Sequence, residues 1–307
     1  MFARKTVFLA IILIIIIIPV LIASGIIFFA GDEETSVIRV YKHNSGEIVT
    51  MDLNEYLLGV VAAEMPAAYH MEALKAQAVA ARTYTERKLG DESKEHPDAD
   101  VCTDVNHCQA FLSRSEMKSR WNLFNYYYYW SRINSALEET RGEILAYNGE
   151  PVEALYHSNG GGYTENAIHV WGTEVPYLKA VKSPYDADRK DNYRHRLVFS
   201  VSELETKLGV KIGDKMYSSL QRSESGRVQE LKVGEEKFTG REIRKLLGLP
   251  ATKFAAEREG EKVIFHVLGK GHGVGMSQDG ADGLARRGKD YREILGYYYS
   301  GTAIVQR

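Results

Sequence analysis

The sequence of 307 residues is poor in cysteine, with 2, and in proline, with 7, and it carries almost no excess of either charge, 41 acidic residues facing 39 Lys and Arg. Figures of this kind exclude a collagen-like, disordered or disulfide-framework chain. A net charge of −2 leaves no surplus of Lys and Arg to displace counterions from a phosphate backbone, so no nucleic-acid partner is expected. What is present is 44% hydrophobic residues, enough for the sizeable core of one large or two ordinary domains.

The hydrophobic residues are unevenly distributed. Arg4 and Lys5 precede an uncharged run from Thr6 to Ala30, and Asp32, Glu33 and Glu34 follow it. A helical run of this length spans a bilayer core of about 30 Å with some tilt. It continues through Ile26, Ile27, Phe28 and Phe29 beyond its small-residue cluster Ala23-Ser24-Gly25, so it reads as an uncleaved anchor rather than a signal peptide. Pro19 is tolerated as a kink. The flanking charges place residues 1–5 in the cytoplasm and residues 31–307 outside, as a single-pass membrane protein. Setting aside Arg4 and Lys5 leaves 37 basic against 41 acidic residues, a mildly acidic external part.

Outside the anchor the spacing predicts a hairpin over 37–50, a helix from Leu53 capped by Asp52 and stopped by Pro66, and an alanine-rich helix from about Glu72 to Leu89. A polar, irregular stretch over 91–119 precedes an aromatic helix over 121–139. A second hairpin is expected around Asn148-Gly149, with strands 144–147 and 152–156. Residues 198–257 read as a smaller unit with helices opened by the capping pairs Ser202/Glu205 and Thr239/Glu242 and strands near 228–233. Val263 to Leu268 then enters a glycine-rich loop, and two helices follow. Strands and helices without regular alternation give an α+β class rather than a doubly wound parallel sheet. The expected division is a catalytic α+β region over 31–197 with a metal loop over 91–119, a smaller α/β subdomain inserted over 198–257, a return to the catalytic region over 258–307, and a cleft between the two.

One carboxylate stands out. Leu53, Tyr56, Leu57, Val60 and Val61 form an apolar stripe whose next position is Glu64, in the last helical turn. Burial and the negative end of the helix dipole both disfavour its ionised form, which predicts a raised pKa suited to a general acid. The alternative is a side chain that turns out to water or pairs with Arg82.

The blocks Asn54 to Pro66, Glu72 to Tyr84, Tyr156-His-Ser-Asn-Gly-Gly-Gly-Tyr-Thr-Glu-Asn166, Val170-Trp-Gly172 and Gly271-His-Gly-Val-Gly-Met-Ser-Gln278 occur in order and cover most of residues 35 to 300. Together they resemble the stage II sporulation protein D family. The resemblance implies a lytic transglycosylase acting on peptidoglycan glycan strands in sporulation engulfment, on the mother-cell side of the septum, with Glu64 as its catalytic acid. It also implies a peptidoglycan amidase and a membrane protein as partners. A non-catalytic, glycan-binding scaffold is the competing reading. A glycoside hydrolase usually needs two carboxylates; a lytic transglycosylase needs none to activate water, because the sugar's own primary hydroxyl closes on the anomeric carbon. Gln77 and Arg82 are candidates for the cleft, Arg82 equally for a buried structural role. At position 279, where the family more often has an aromatic residue, this chain has Asp279.

His157, Ser158 and Gly161 on one glycine-rich segment, and His272, Ser277 and Gln278 on the other, are candidate substrate contacts on loops at strand ends. The glycine spacing after Gly271 is wrong for a dinucleotide site, and no Gly-x-Ser-x-Gly or His-Glu-x-x-His frame occurs, so no organic cofactor, serine nucleophile or zinc-protease site is expected. His96, Cys102, His107 and Cys108 offer two imidazoles and two thiolates within one loop, a set suited to tetrahedral structural zinc; a Cys102–Cys108 disulfide is the alternative. The rings of Tyr126 to Trp130 and Tyr297 to Tyr299 could stack on sugar rings, but they cannot all face one way at helical spacing, so most are expected in the core or an interface.

Overall fold

The computed structural model describes residues 36–89, 96, 98–104 and 107–307. The segments read as a cytoplasmic tail, 1–5, and an anchor, 6–30, and part of the loop expected to hold a metal lie outside the described residues. Among the described residues no helix is long and apolar enough to cross a membrane.

Alternation sends Ile38 and Val40 inward, and β1 (Val37–Lys42) pairs antiparallel with β2 (Glu47–Asp52) as the predicted hairpin. α1 (Leu53–Glu64) starts where the Asp52 side chain accepts from the Glu55 N–H, and it ends where Met65 turns extended ahead of Pro66. α2 (Met71–Leu89) is buried along most of its length, its alanines permitting close approach of neighbours on several sides. The stretch expected to be irregular holds two elements: β3 (Val101–Cys102), added parallel to β1, and α3 (Arg114–Arg120), opened by a Ser113/Glu116 capping box. Trp121 ends α3, so the aromatic helix α4 (Leu123–Glu139) begins two residues late, capped by Asn122.

The second hairpin is shorter than its pattern. On its hairpin side β4 (Glu143–Tyr147) meets only the two-residue β5 (Glu150–Pro151), because the chain then diverges and β6 (Tyr156–His157) joins a distant parallel partner. β7 (Gly162–Tyr163) pairs with β8 (Lys182–Ser183) around the short α5 (Ile168–Trp171). A 3-10 turn (Pro184–Asp188) and α6 (Lys190–Tyr193) lead to β9 (Arg194–Ser200). α7 (Val201–Leu208) is capped by Ser200 accepting from the Glu203 N–H, two residues before the expected pair, since β9 ends there; Glu205 instead accepts from the Ile212 N–H and pairs with Lys211. β10 (Ser219–Arg222), β11 (Val228–Val233) and β12 (Glu236–Thr239) form a meander, followed by α8 (Gly240–Leu247) with the predicted Thr239/Glu242 box. β13 (Phe254–Glu259) and β14 (Lys262–Leu268) join β9 in an antiparallel sheet. After the glycine loop come β15 (Met276–Ser277), parallel to β6, then α9 (Gln278–Ala285) and α10 (Tyr291–Tyr298). β16 (Ala303–Gln306), which the sequence reading missed, pairs with β4.

Small separate sheets mixed with helices make the described part α+β. Its buried side chains fall into two clusters. One gathers β1, α1, α2, α4, α9 and α10; the other gathers α7, β11, α8, β13 and β14.

Candidate active site

The apolar stripe of α1 is buried as its period requires, and this carries Glu64 to the wall of a cavity of about 680 Å³. Pro66 keeps the chain from continuing as helix, so Met65 to Tyr69 bend round the same cavity. Opposite lie Arg120, Trp121 and Asn122 from the junction of α3 and α4, and Asn125 and Tyr129 from the first turns of α4. His157 and Ser158 enter from β6, Lys270 from the glycine loop, and Gln278 from the start of α9. The parallel pairing of Tyr156 with Met276 and His157 with Ser277 brings these last segments together. It requires glycine on the loop: at Gly275, with φ +73°, a Cβ would lie 2.0 Å from the Leu155 carbonyl oxygen.

Among the described residues lining the cavity, Glu64 is the only carboxylate. Its Oε1 accepts from the Ala110 N–H at 2.7 Å. Burial raises its pKa above the usual glutamate value, and the Ala110 bond, which favours the anion, opposes that shift. The direction matches the expectation from the stripe, and the alternative pairing with Arg82 does not occur.

Arg82 lies away from the cavity. Only 4% exposed, it donates to the carbonyls of Leu137, Thr140 and Glu143, closing the C-terminal end of α4. Burial without a contacting carboxylate lowers its pKa to about 10. Gln77 is also buried behind the wall, where its Oε1 accepts from Gln278 Nε2 at 3.2 Å, and it supports the glutamine that does face the cavity.

The two histidines differ. His157 Nδ1 lies 3.1 Å from the Val274 carbonyl, which can only accept, so Nδ1 bears the proton and Nε2 is a buried lone pair with no partner among the described residues. Burial first, and the neighbouring His272 and Arg227 next, hold its pKa well below the usual value. His272 has both nitrogens engaged by backbone: Nε2 donates to the Tyr156 carbonyl at 3.0 Å and Nδ1 accepts from the Val274 N–H at 3.1 Å. It lashes the glycine loop to β6 and is absent from the cavity lining. Ser277 is likewise structural; its hydroxyl donates to Asp186 at 2.6 Å and caps α9. Gly161 fits its turn against the Leu268 carbonyl, and its N–H is bound by Asn159. Glu64, His157, Ser158 and Gln278 therefore meet at the cavity, whereas Arg82, Gln77, Gly161, His272 and Ser277 hold its surroundings in place.

Sequence reasoning missed Tyr69, Arg120, Asn122, Asn125, Asn192 and Lys270. Asn122 alone carried a signal, as a residue able to cap a helix. Asp279 is fully accounted for: buried, it accepts from the Tyr69 hydroxyl and from Asn159 Nδ2, so a carboxylate replaces aromatic packing with hydrogen bonds behind the wall. The tyrosine run does not go mostly into the core as expected: Tyr126 is buried, Tyr129 lines the cavity, and Tyr127 and Tyr128 are exposed, because α4 turns only one stripe inward.

In the loop after α2, the ligand atoms of His96, Cys102 and His107 all lie within 4.8 Å of one another. Cys108 Sγ is 3.9 Å from His107 Nδ1, and the two cysteines are free thiols. The donor chemistry and this convergence fit a tetrahedral metal.

A model of the stage II sporulation protein family matches residues 41–147. The stage II sporulation protein D of Bacillus subtilis (strain 168) is 39% identical over 272 residues, spanning 88% of this chain and 79% of that protein. Its counterpart in Bacillus amyloliquefaciens is 38% identical over 88% of this chain and 78% of that protein. The amidase enhancer of B. subtilis is 30% identical over 81% of this chain, which spans only 40% of that longer protein. On this similarity and coverage, the chain belongs to the stage II sporulation protein D family.

Proposed function

We propose that the chain is a membrane-anchored lytic transglycosylase that cleaves peptidoglycan glycan strands during sporulation, with Glu64 as general acid and base. The observation that carries this reading is the isolation of Glu64 as the one carboxylate among the described residues of its cavity, with its pKa raised by burial. A hydrolase would need a second carboxylate to act as nucleophile or to activate water. One suffices for internal transfer. The Glu64 carboxyl gives its proton to the glycosidic oxygen as the bond to the anomeric carbon breaks. The resulting carboxylate takes the proton of the muramyl C6 hydroxyl as that oxygen bonds to the anomeric carbon, giving a 1,6-anhydro end and restoring the acid. The Ala110 N–H stabilises the carboxylate between the two transfers. Arg120, Lys270 and the amides of Asn122, Asn125 and Gln278 supply donors to a polar polymer across the cavity.

His96, Cys102, His107 and Cys108 would hold a zinc ion; four protein ligands leave no open position, so the ion's contribution is to fix the loop that runs into Gln109 and Ala110. The anchor read over 6–30 would hold the catalytic part outside the membrane; the family implies an amidase and a membrane protein as partners, and the similarity to an amidase enhancer supports the first.

Glu64→Gln keeps the Ala110 bond and removes the transferable proton. Mass spectrometry of products from purified strands should show anhydro ends reduced by about 10²–10⁴-fold, with strand binding retained. Undiminished anhydro ends remove Glu64 from the reaction; strand binding by a wild-type protein that forms none makes the chain a scaffold.

A further inference from the structure

A second concavity, of about 990 Å³, opens between α5 and α8 and is lined by Arg241, Arg244 and Lys245 together with His169 and Gln229. Its one acidic residue, Glu242, is already engaged as the helix cap, accepting from the Thr239 N–H at 2.7 Å and the Thr239 hydroxyl at 2.9 Å. Arg241 donates to the Val170 carbonyl and Arg244 to that of Leu249, so among the described residues the two guanidiniums meet carbonyls and no carboxylate. Burial, and then the neighbouring Arg241, lower the pKa of Arg244, as expected of cations set together without a counterion. Arg227, buried beside Arg244, is already balanced in part by the Glu165 and Asp186 carboxylates, which oppose the lowering of its pKa by burial. A concave surface lined by Arg241, Arg244 and Lys245 therefore presents positive potential that draws an anion from solution.

A series of ring contacts runs between the concavity and the Glu64 cavity. His157 lines that cavity, its ring centroid lies 5.6 Å from that of His272, and the His272 ring lies 5.5 Å from Trp171. Trp171, 45% exposed, stands between Val170 and Gly172, which both line the basic concavity. An indole on this path offers a stacking face for a sugar ring.

We propose that the concavity beneath α8 is a carboxylate-binding subsite that holds an acidic substituent of the same glycan strand whose scissile bond lies at Glu64, with Arg241 and Arg244 as its binding residues. The proposal rests on the glycan-cleaving reading. A muramyl unit can present such a carboxylate in two ways: on its lactyl group once the peptide has been removed by an amide hydrolase, or on the attached peptide.

The test measures binding by the full chain in the Glu64→Gln background, where strands stay intact. Four ligands are compared: strands with free lactyl carboxylates, strands with peptides, strands whose lactyl carboxylates are capped as methylamides, and chitin oligomers. Carboxylate-bearing strands should bind about tenfold more tightly than the two uncharged ligands at low salt, about 1.4 kcal/mol, and the advantage should shrink as salt rises. Arg241→Gln/Arg244→Gln should abolish that ratio, and Arg241→Lys/Arg244→Lys should restore most of it, which a folding defect would not permit. The preferred strand identifies the source of the carboxylate. A ratio near one in the Glu64→Gln protein with both arginines intact, or a ratio unchanged by Arg241→Gln/Arg244→Gln, overturns the subsite. Failure of the underlying reading looks different: no anhydro ends from any strand with Glu64 intact, and no binding of the uncharged ligands either.

Discussion

Gly59→Ala places a single methyl group at the joint that sets the acidity of Glu64. Gly59 faces outward from α1 onto the segment 110–112; a Cβ built there would lie 2.3 Å from Phe111 Cε2, 2.6 Å from its Cδ2 and 2.8 Å from the Leu112 carbonyl oxygen. Rotating the ring could relieve the first two contacts, although the ring stacks on Tyr56 with centroids 5.8 Å apart. The third is backbone, tied to Gly59 by the Leu112 N–H at 3.1 Å, so the whole segment must withdraw. Overpacking of this kind costs about 1–3 kcal/mol, and alanine returns about 1 kcal/mol of helix propensity. The expected net loss is roughly 0–2 kcal/mol, toward the upper end because a backbone contact has to give, or up to about 4–8 °C in Tm for a domain of this size. Withdrawal also loosens the Ala110 N–H from Glu64. That bond favours the carboxylate, so its loss raises the pKa of Glu64 further, and the alkaline limb of the pH–rate profile moves upward. Thermal unfolding followed by circular dichroism, with anhydro-end formation measured across pH, reads both effects. An alanine variant as stable as the wild type, with the same alkaline limb, would refute the claim that Gly59 seats the segment that binds Glu64.

Glu64→Gln should also change stability. The folded-state pKa of Glu64 is raised, so its favourable contribution is complete below the ordinary glutamate pKa and is lost as pH rises; urea unfolding should find the glutamine variant more stable at neutral pH and the difference gone in acid. His272 acts with the opposite sign. Its pKa is lowered to about 4, so the stability it contributes is complete above about pH 6.5 and disappears as pH falls toward 4, up to about 3 kcal/mol; His272→Gln should flatten the acid limb of the stability profile, and an unchanged limb would contradict the assigned bonds. Arg82→Ala should cost about 3–5 kcal/mol by stripping donors from three carbonyls, whereas a raised KM with intact Tm would show that the cation meets substrate. Zinc at 100 times its Kd should stabilise the protein by about 2.7 kcal/mol, and Cys102→Ser or Cys108→Ser should remove that response in thermal titrations.

Glu64 was readable from sequence because a helix period fixes direction: five apolar residues in one stripe say where the sixth must point, whatever the rest of the fold does. The caps at Asp52 and Thr239 were readable for the same local reason. Arg82, His272 and Ser277 looked like ligand contacts because their residue types suit that role. Their actual partners are carbonyls and a carboxylate brought from distant segments, and no spacing encodes that. Lys270 reaches the cavity through a single bridge to Asn159 and Asn192 from the one-turn helix α6, contacts too short to leave a pattern to read. The β5 strand failed for a related reason: the apolar residues after Pro151 satisfy a hairpin pattern equally well while packing elsewhere.

The buried helix α2 touches both ends of the site. Gln77 on it holds Gln278, Tyr84 donates to the His107 carbonyl, and Thr85 accepts from Gln109, the neighbour of Ala110. Since the helix has water on so little of its surface, its middle amides have no local route to exchange and should release their hydrogens only when the entire Val37–Arg307 unit opens. The slowest-exchanging peptide in a deuterium-labelling experiment should then be 76–85, and any ligand that closes the cavity should slow its flanks, at 109–112 and 276–280, before it alters the helix itself.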